Sequence, residues 1–208
     1  MAGAKGASAP LAVRNLFLLK KPSDTRIDEF LRLQHNEPFS YEEVGTSWEG
    51  ASNMDGYVVD HNRVRLGTGE EVFARAKEAL RDWRMFGLGW VRICWPDTRI
   101  EVGNTVAVLG NHYGFWSLNA CRIVYLIEED AETRRFGFAY GTLPEHAESG
   151  EERFTVEWNR DDEVWYDIYA FSKPNSALAR LGQSLARGLQ RRFARDSMRA
   201  MEDVVRQP

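Results

Sequence analysis

The densest set of groups able to move a proton lies between residues 140 and 152, where Tyr140, His146, Glu148, Glu151 and Glu152 follow one another. An imidazole beside several carboxylates and a phenol is the composition of a general acid–base pair. The spacing at 146, 148, 151 and 152 fits no metal-ligand pattern, so no metal is expected. The plain alternative is a solvated acidic loop in which only Glu152, at the start of the next strand, points inward.

The alternation around these residues predicts how they are held. Phe136, Phe138, Tyr140 and Thr142 share one parity before the loop, and Glu152, Phe154, Val156 and Trp158 share one after it. Period two on both sides predicts a hairpin of strands Arg135–Thr142 and Glu152–Trp158. Tyr140 and Thr142 then point the same way, and the apolar partners of Glu152 place it on that same inner face. A carboxylate there loses water and its pKa rises, which makes Glu152 a candidate acid or base with His146 and Tyr140. Alternatively, Arg122 or another buried arginine neutralises it and the pair only locks the hairpin.

Further polar groups stand among the aromatics. Asn119, Tyr125, Tyr140, Thr142, Glu152 and Tyr166 form the candidate ligand-binding set, a mixture that suits a pocket. A packed core with satisfied hydroxyls would look the same. On Phe115–Ile127 both parities carry apolar residues, so the inward parity stays open. Gly67-Thr68-Gly69 lacks the third glycine or the lysine of a phosphate loop, and a Thr68–Glu71 capping box accounts for it. His112 falls in an expected turn at Gly110-Asn111. No GxSxG elbow is present and neither cysteine belongs to a CxxC pair, so no cofactor is indicated. Cys94 and Cys121 lie in apolar runs and read as free thiols of a reducing, cytoplasmic setting.

These groups need a scaffold. A helix capped by Ser23 or Asp24 carries Ile27, Phe30 and Leu31 and stops before Pro38. An ordered connection spans 39–56, then a strand Tyr57–Leu66 and a helix with Val72, Phe73, Ala76, Leu80 and Trp83 at helical spacing. From Gly89 the period changes to two, with strands at 89–95, 105–109, 115–128, 135–142, 152–158 and 164–171 joined by short turns. A long helix, 175–205, follows with Leu178, Leu181, Leu185, Leu189, Phe193, Met201 and Val205 on one stripe. Asn175 or Ser176 is its expected cap. About seven antiparallel strands wrapped on a C-terminal helix make an α+β helix-grip domain, and such a curved sheet can enclose a cavity.

Charge narrows the partners. The net charge of −4 gives no electrostatic case for nucleic acid. Residues 128–163 carry 12 acids against 4 arginines, while 175–208 carry 7 arginines against 3 acids. The arginines of the last helix read as a solvated face; the sharper alternatives are an acidic partner, which would make the chain a protein-interaction domain, or an anionic membrane surface. No apolar run approaches the roughly 20 residues of a membrane span, so no stable insertion is expected. Residues 1–14 read as a flexible extension, its possible targeting role left open, ahead of one domain at 15–208.

The chain resembles the UPF0548 family. The resemblance rests on Pro38-Phe39-Ser40-Tyr41 with Val44-Gly45, on 60–67 with Gly69, and on Phe73, Ala76, Leu80, Trp83 and Phe86. It continues through Tyr140-Gly141-Thr142-Leu143 with His146 and Gly150-Glu151-Glu152, and through Ala170-Phe171-Ser172 with Pro174. It implies a START-like fold and carries over no catalytic residue. Two functions stay open: binding of an apolar or aromatic small molecule, or a cofactor-independent cyclase, dehydratase or hydrolase built on the Tyr140–Glu152 hairpin. Oligomeric state is not legible.

Overall fold

Seven strands pair antiparallel in the order β1–β7–β6–β5–β4–β3–β2 in a computed structural model that describes residues 18–175 and 183–206. They are β1 (Val58–Thr68), β2 (Val91–Cys94), β3 (Thr105–His112), β4 (Phe115–Asp130), β5 (Arg134–Thr142), β6 (Glu148–Trp158) and β7 (Glu163–Pro174). From β2 to β7 each strand pairs with the next, as short turns between period-two runs require. Strand β1 pairs with β7, from which α2 and strands β2 to β6 separate it in sequence.

The helices are α1 (Asp24–Gln34), α2 (Glu70–Arg81) and the described part of the last helix, α3 (Gln183–Arg206). Ser23 caps α1 through its hydroxyl, which accepts from the Arg26 N–H at 3.4 Å. The expected Thr68–Glu71 box does not form. Thr68 is the last residue of β1, paired with Glu163, so Gly69 at φ 85° takes the cap position of α2. The expected turn at Gly110-Asn111 lies three residues later: β3 runs through His112, and Tyr113-Gly114, both at positive φ, turn the chain.

Both sheet faces are covered. On the inner face Phe138, Phe154, Val156 and Ile168 meet Phe73, Ala76 and Leu80 of α2 and Ala194, Met201 and Val205 of α3. Phe138 and Phe154 are fully buried with ring centroids 5.4 Å apart, each side chain contributing roughly 1.5–3 kcal/mol through burial. On the outer face Ile27 of α1 packs with Ala107, Leu109 and Leu118. The connection 39–57, ordered as its sequence predicts, lays Tyr41 and Tyr57 against Tyr169 and Phe171.

The first half of α3 does not sit on this core. Leu185, expected at the centre of the buried stripe, is 51% exposed, whereas Met201 is fully buried. The helix crosses packed core only along its second half; Leu185 and Leu189 instead border an open space. Leu178, Leu181 and Ser176 lie outside the described residues, as does the 1–14 extension. The helix start that Asn175 or Ser176 was expected to cap lies outside the described residues; the Asn175 amide donates to the Pro144 and His146 carbonyls at 3.0 and 2.9 Å. Among the described residues no helix is long and apolar enough to cross a membrane.

Candidate functional site

The register stacks side chains across the inner face in rungs. One rung, Asn62–Ile168–Phe154–Phe138, is almost wholly apolar and belongs to the core. The next rung is Asp60–Ala170–Glu152–Tyr140–Ile123, and here polar groups begin. Beyond it the sheet and the first half of α3 diverge around a cavity of about 670 Å³. That volume falls within the roughly 300–1,000 Å³ of small-molecule sites. Phe86, Trp90, Val108, Leu189 and Phe193 form apolar walls.

Tyr140 and Glu152 are direct cross-strand partners, as the alternation predicts, and the phenol donates to Glu152 Oε2 at 2.6 Å. Burial pushes Glu152 up to about 7; the Tyr140 hydrogen bond opposes this and the Asp60 charge adds to it. Burial, with Glu152 beside it, holds Tyr140 well above the usual phenol range, so the phenol keeps its proton. Among the described residues no cation pairs with Glu152. Arg122 in particular points elsewhere, donating to the Gln34 and His35 carbonyls at 3.1 and 2.6 Å where α1 ends.

His146 lies in the loop between β5 and β6 and lines the same cavity. Its Nδ1 lies 2.9 Å from the Glu148 N and 3.0 Å from the Glu148 carbonyl oxygen, accepting from the one or donating to the other according to the tautomer. Burial pulls its pKa down to about 4, the Glu148 carbonyl opposing, so the ring is neutral. Glu148 also faces the cavity, its carboxyl raised by burial against the pull of Ser172 and Arg187.

A chain of contacts closes the α3 side. Arg187 grips both carboxylate oxygens of Asp60, with Nη2 2.7 Å from Oδ1, and donates to Gln190 Oε1 at 2.7 Å. Gln190 Nε2 in turn donates to Ser172 Oγ at 3.2 Å. Asp60 and Arg187 are 127 positions apart, so no local sequence pattern links them.

The remaining candidates separate. Asn119 lines the cavity, where its Oδ1 accepts the Ala147 N–H at 3.2 Å. Thr142 reaches the wall, but its hydroxyl is committed to Ser40 Oγ at 2.6 Å and to the Gly150 N–H at 2.9 Å. Tyr166 is fully buried in the core below the cavity, its hydroxyl 2.9 Å from Ser197 Oγ. Tyr125 is on the opposite face: the register slips between Ile123 and Tyr125, which turns the phenol outward to Ser47 Oγ at 2.5 Å. Glu151, between two inward positions, also points outward. His112, expected on the surface, stands in the cavity wall with Nε2 2.8 Å from Ser117 Oγ. Burial, with Arg192 nearby, lowers its pKa. No cluster of metal-ligating residues is found among the described residues.

A seven-stranded antiparallel sheet holding a C-terminal helix across its inner face is a helix-grip fold of the START-like kind. A family model described as Domain of unknown function (DUF1990) matches residues 40–200, and the chain belongs to that family. A UPF0548 protein of Dictyostelium discoideum is 37% identical over 207 residues, covering 91% of this chain and 96% of its own. A UPF0548 protein of Deinococcus radiodurans is 36% identical over 197 residues, with 89% and 97% covered. Among solved structures, Ara h 8.0201 is 13% identical at a TM-score of 0.44, covering 72% of this chain and 98% of that one.

Proposed function

We propose that this protein binds an apolar or aromatic small molecule between its sheet and α3. The observation that carries the reading is the 670 Å³ cavity itself, apolar along Phe86, Trp90 and Phe193 and polar at one rung. Space of that kind inside a folded chain costs stability through lost dispersion contacts, and a ligand of matching shape restores them. Buried free thiols at Cys94 and Cys121 support a reducing, cytoplasmic location.

Native mass spectrometry of gently purified protein tests this directly. A retained small molecule of reproducible mass is expected, and Glu152→Gln should reduce its occupancy while leaving the melting temperature intact. If the variant keeps the ligand and only loses stability, the hairpin is architecture and not a site.

One observation favours a second reading. A carboxyl brought to about 7 beside a protonated phenol, with a neutral imidazole on the same cavity, is suited to proton transfer in a cyclisation, dehydration or hydrolysis. Turnover of the captured ligand by wild-type protein, lost in Glu152→Gln, would move the assignment from binding to catalysis.

A further inference from the structure

We infer that the cavity selects ligands bearing a basic nitrogen, whose ammonium group pairs with Glu152 while an apolar or aromatic body fills the space under α3. The inference rests on the binding reading above and specifies the ligand's polar end.

The carboxylates on or beside this part of the sheet differ in their partners. Asp60 is held by the Arg187 guanidinium. Glu148 lies within the influence of that same arginine and of Ser172. Glu151, on the other face, accepts from Tyr41 at 2.6 Å, from the Gly45 and Ser47 N–H groups at 2.8 and 3.1 Å, and from the Ser47 hydroxyl. Glu152 has one phenol, on Oε2, and its Oε1 receives no hydrogen bond from the described residues. A buried carboxylate without a cation either takes a proton or awaits a counter-ion.

The setting supplies the rest of a cation site. Ala170, between Asp60 and Glu152 on the rung, leaves the gap beside Glu152 unfilled by a long side chain. The Phe86 ring lies 6.2 Å from that of Tyr140 and 5.0 Å from that of Phe193, so aromatic faces gather next to the carboxylate. Such faces attract an ammonium and accept an apolar body equally well. The ionisable groups around Glu152 are Asp60 on β1, Cys121 on β4, Tyr140 on β5, Tyr166 on β7, Glu148 at the start of β6 and His146 in the loop before it; Arg187, from α3, is already bound to Asp60. None of the groups acting on Glu152 itself is an unpaired cation, although Arg191, Arg195 and His112 also line the cavity.

Three probes that differ only at one end test the inference: 4-phenylbutylamine, 4-phenylbutan-1-ol and 4-phenylbutyrate, titrated by calorimetry into the full chain. At pH 8 the amine should bind at least about tenfold more tightly than the alcohol, a charge-assisted contact being roughly twice as strong as a neutral one, and the acid should bind most weakly. Below about pH 7 Glu152 takes up its proton, so amine affinity should fall by up to about tenfold per pH unit while alcohol affinity stays level. Glu152→Gln should bring the amine down to the alcohol without weakening the alcohol. The pH series on wild-type protein carries the test if that variant folds poorly. Equal affinities for amine and alcohol, or a preference that persists in Glu152→Gln, overturn this inference and leave the binding reading standing. Failure of all three probes to bind overturns both.

Discussion

Two titratable side chains on one cavity are displaced in opposite directions by the same cause. Burial raises Glu152 from 4.5 to about 7 and lowers His146 from 6.5 to about 4. Between pH 4.5 and 7 the folded chain keeps a proton on Glu152 that the unfolded chain releases, so this group's stabilisation falls as pH rises, by about 3 kcal/mol across the window. Between pH 4 and 6.5 the unfolded chain binds a proton at His146 that the folded chain refuses, so that contribution rises with pH by a similar amount. Where the windows overlap the two slopes nearly cancel. Urea midpoints at a series of pH values check this by difference from wild type. Relative to wild type, Glu152→Gln should add a rising slope from about pH 4.5 to 7, and His146→Gln a falling one from about pH 4 to 6.5. Parallel curves for all three proteins would mean that neither group is desolvated as described.

At the scale of the element, α3 changes its task along its length. Met201→Asp places an unpaired carboxylate in the core and should cost several kcal/mol, enough to unfold or aggregate a chain of ordinary stability. Leu185→Asp, half exposed at the cavity border, should leave the thermal midpoint nearly unchanged and instead weaken uptake of apolar ligands. Equal losses of midpoint from the two substitutions would place the helix differently on the sheet. The sequence showed the leucine stripe but not this division, because a leucine facing a core and one facing a cavity satisfy the same period. Strand parity was legible for Tyr140, Thr142 and Glu152, whose alternation is uninterrupted on both arms of the hairpin. It was not legible for Tyr125: the slip beside Val124 inserts one more β-branched residue into a run already rich in them, and every side chain beyond it changes face. Thr68 and Glu71 carried a sound capping pattern that the longer β1 pre-empted. The Asp60–Arg187 grip left no trace, since it joins an early strand to the last helix.

Over the whole molecule, β6 carries two neighbouring glutamates with opposite surroundings. Glu151 faces outward, only 2% exposed, and accepts from four donors, all of which belong to the connection 39–57, at Tyr41, Gly45 and Ser47. Arg153 extends the same clamp with hydrogen bonds to the Ser47 and Trp48 carbonyls at 2.8 and 2.9 Å. Glu152 faces inward with its single phenol. The sheet thus separates an outer face on which Glu151 is fully satisfied and holds the outer layer from an inner one whose Glu152 is left under-satisfied at a cavity. The same isosteric change should therefore have opposite consequences on the two faces. Glu151→Gln exchanges an acceptor-only carboxylate for an amide whose NH₂ meets donors, leaving buried groups unpaired at about 1–3 kcal/mol each. It should lower the unfolding midpoint clearly and raise amide exchange across 39–57, with ligand affinity of the surviving folded fraction unchanged. Glu152→Gln retains an acceptor for Tyr140 and removes a carboxylate that is costly to ionise, so at pH 8 the ligand-free protein should be as stable as wild type or more so, with ligand affinity reduced. Paired measurements of unfolding midpoint and ligand affinity on both variants decide the matter. A Glu151→Gln protein that melts normally but loses ligand, or a Glu152→Gln protein that loses stability but not ligand, would reverse the roles assigned to the two faces.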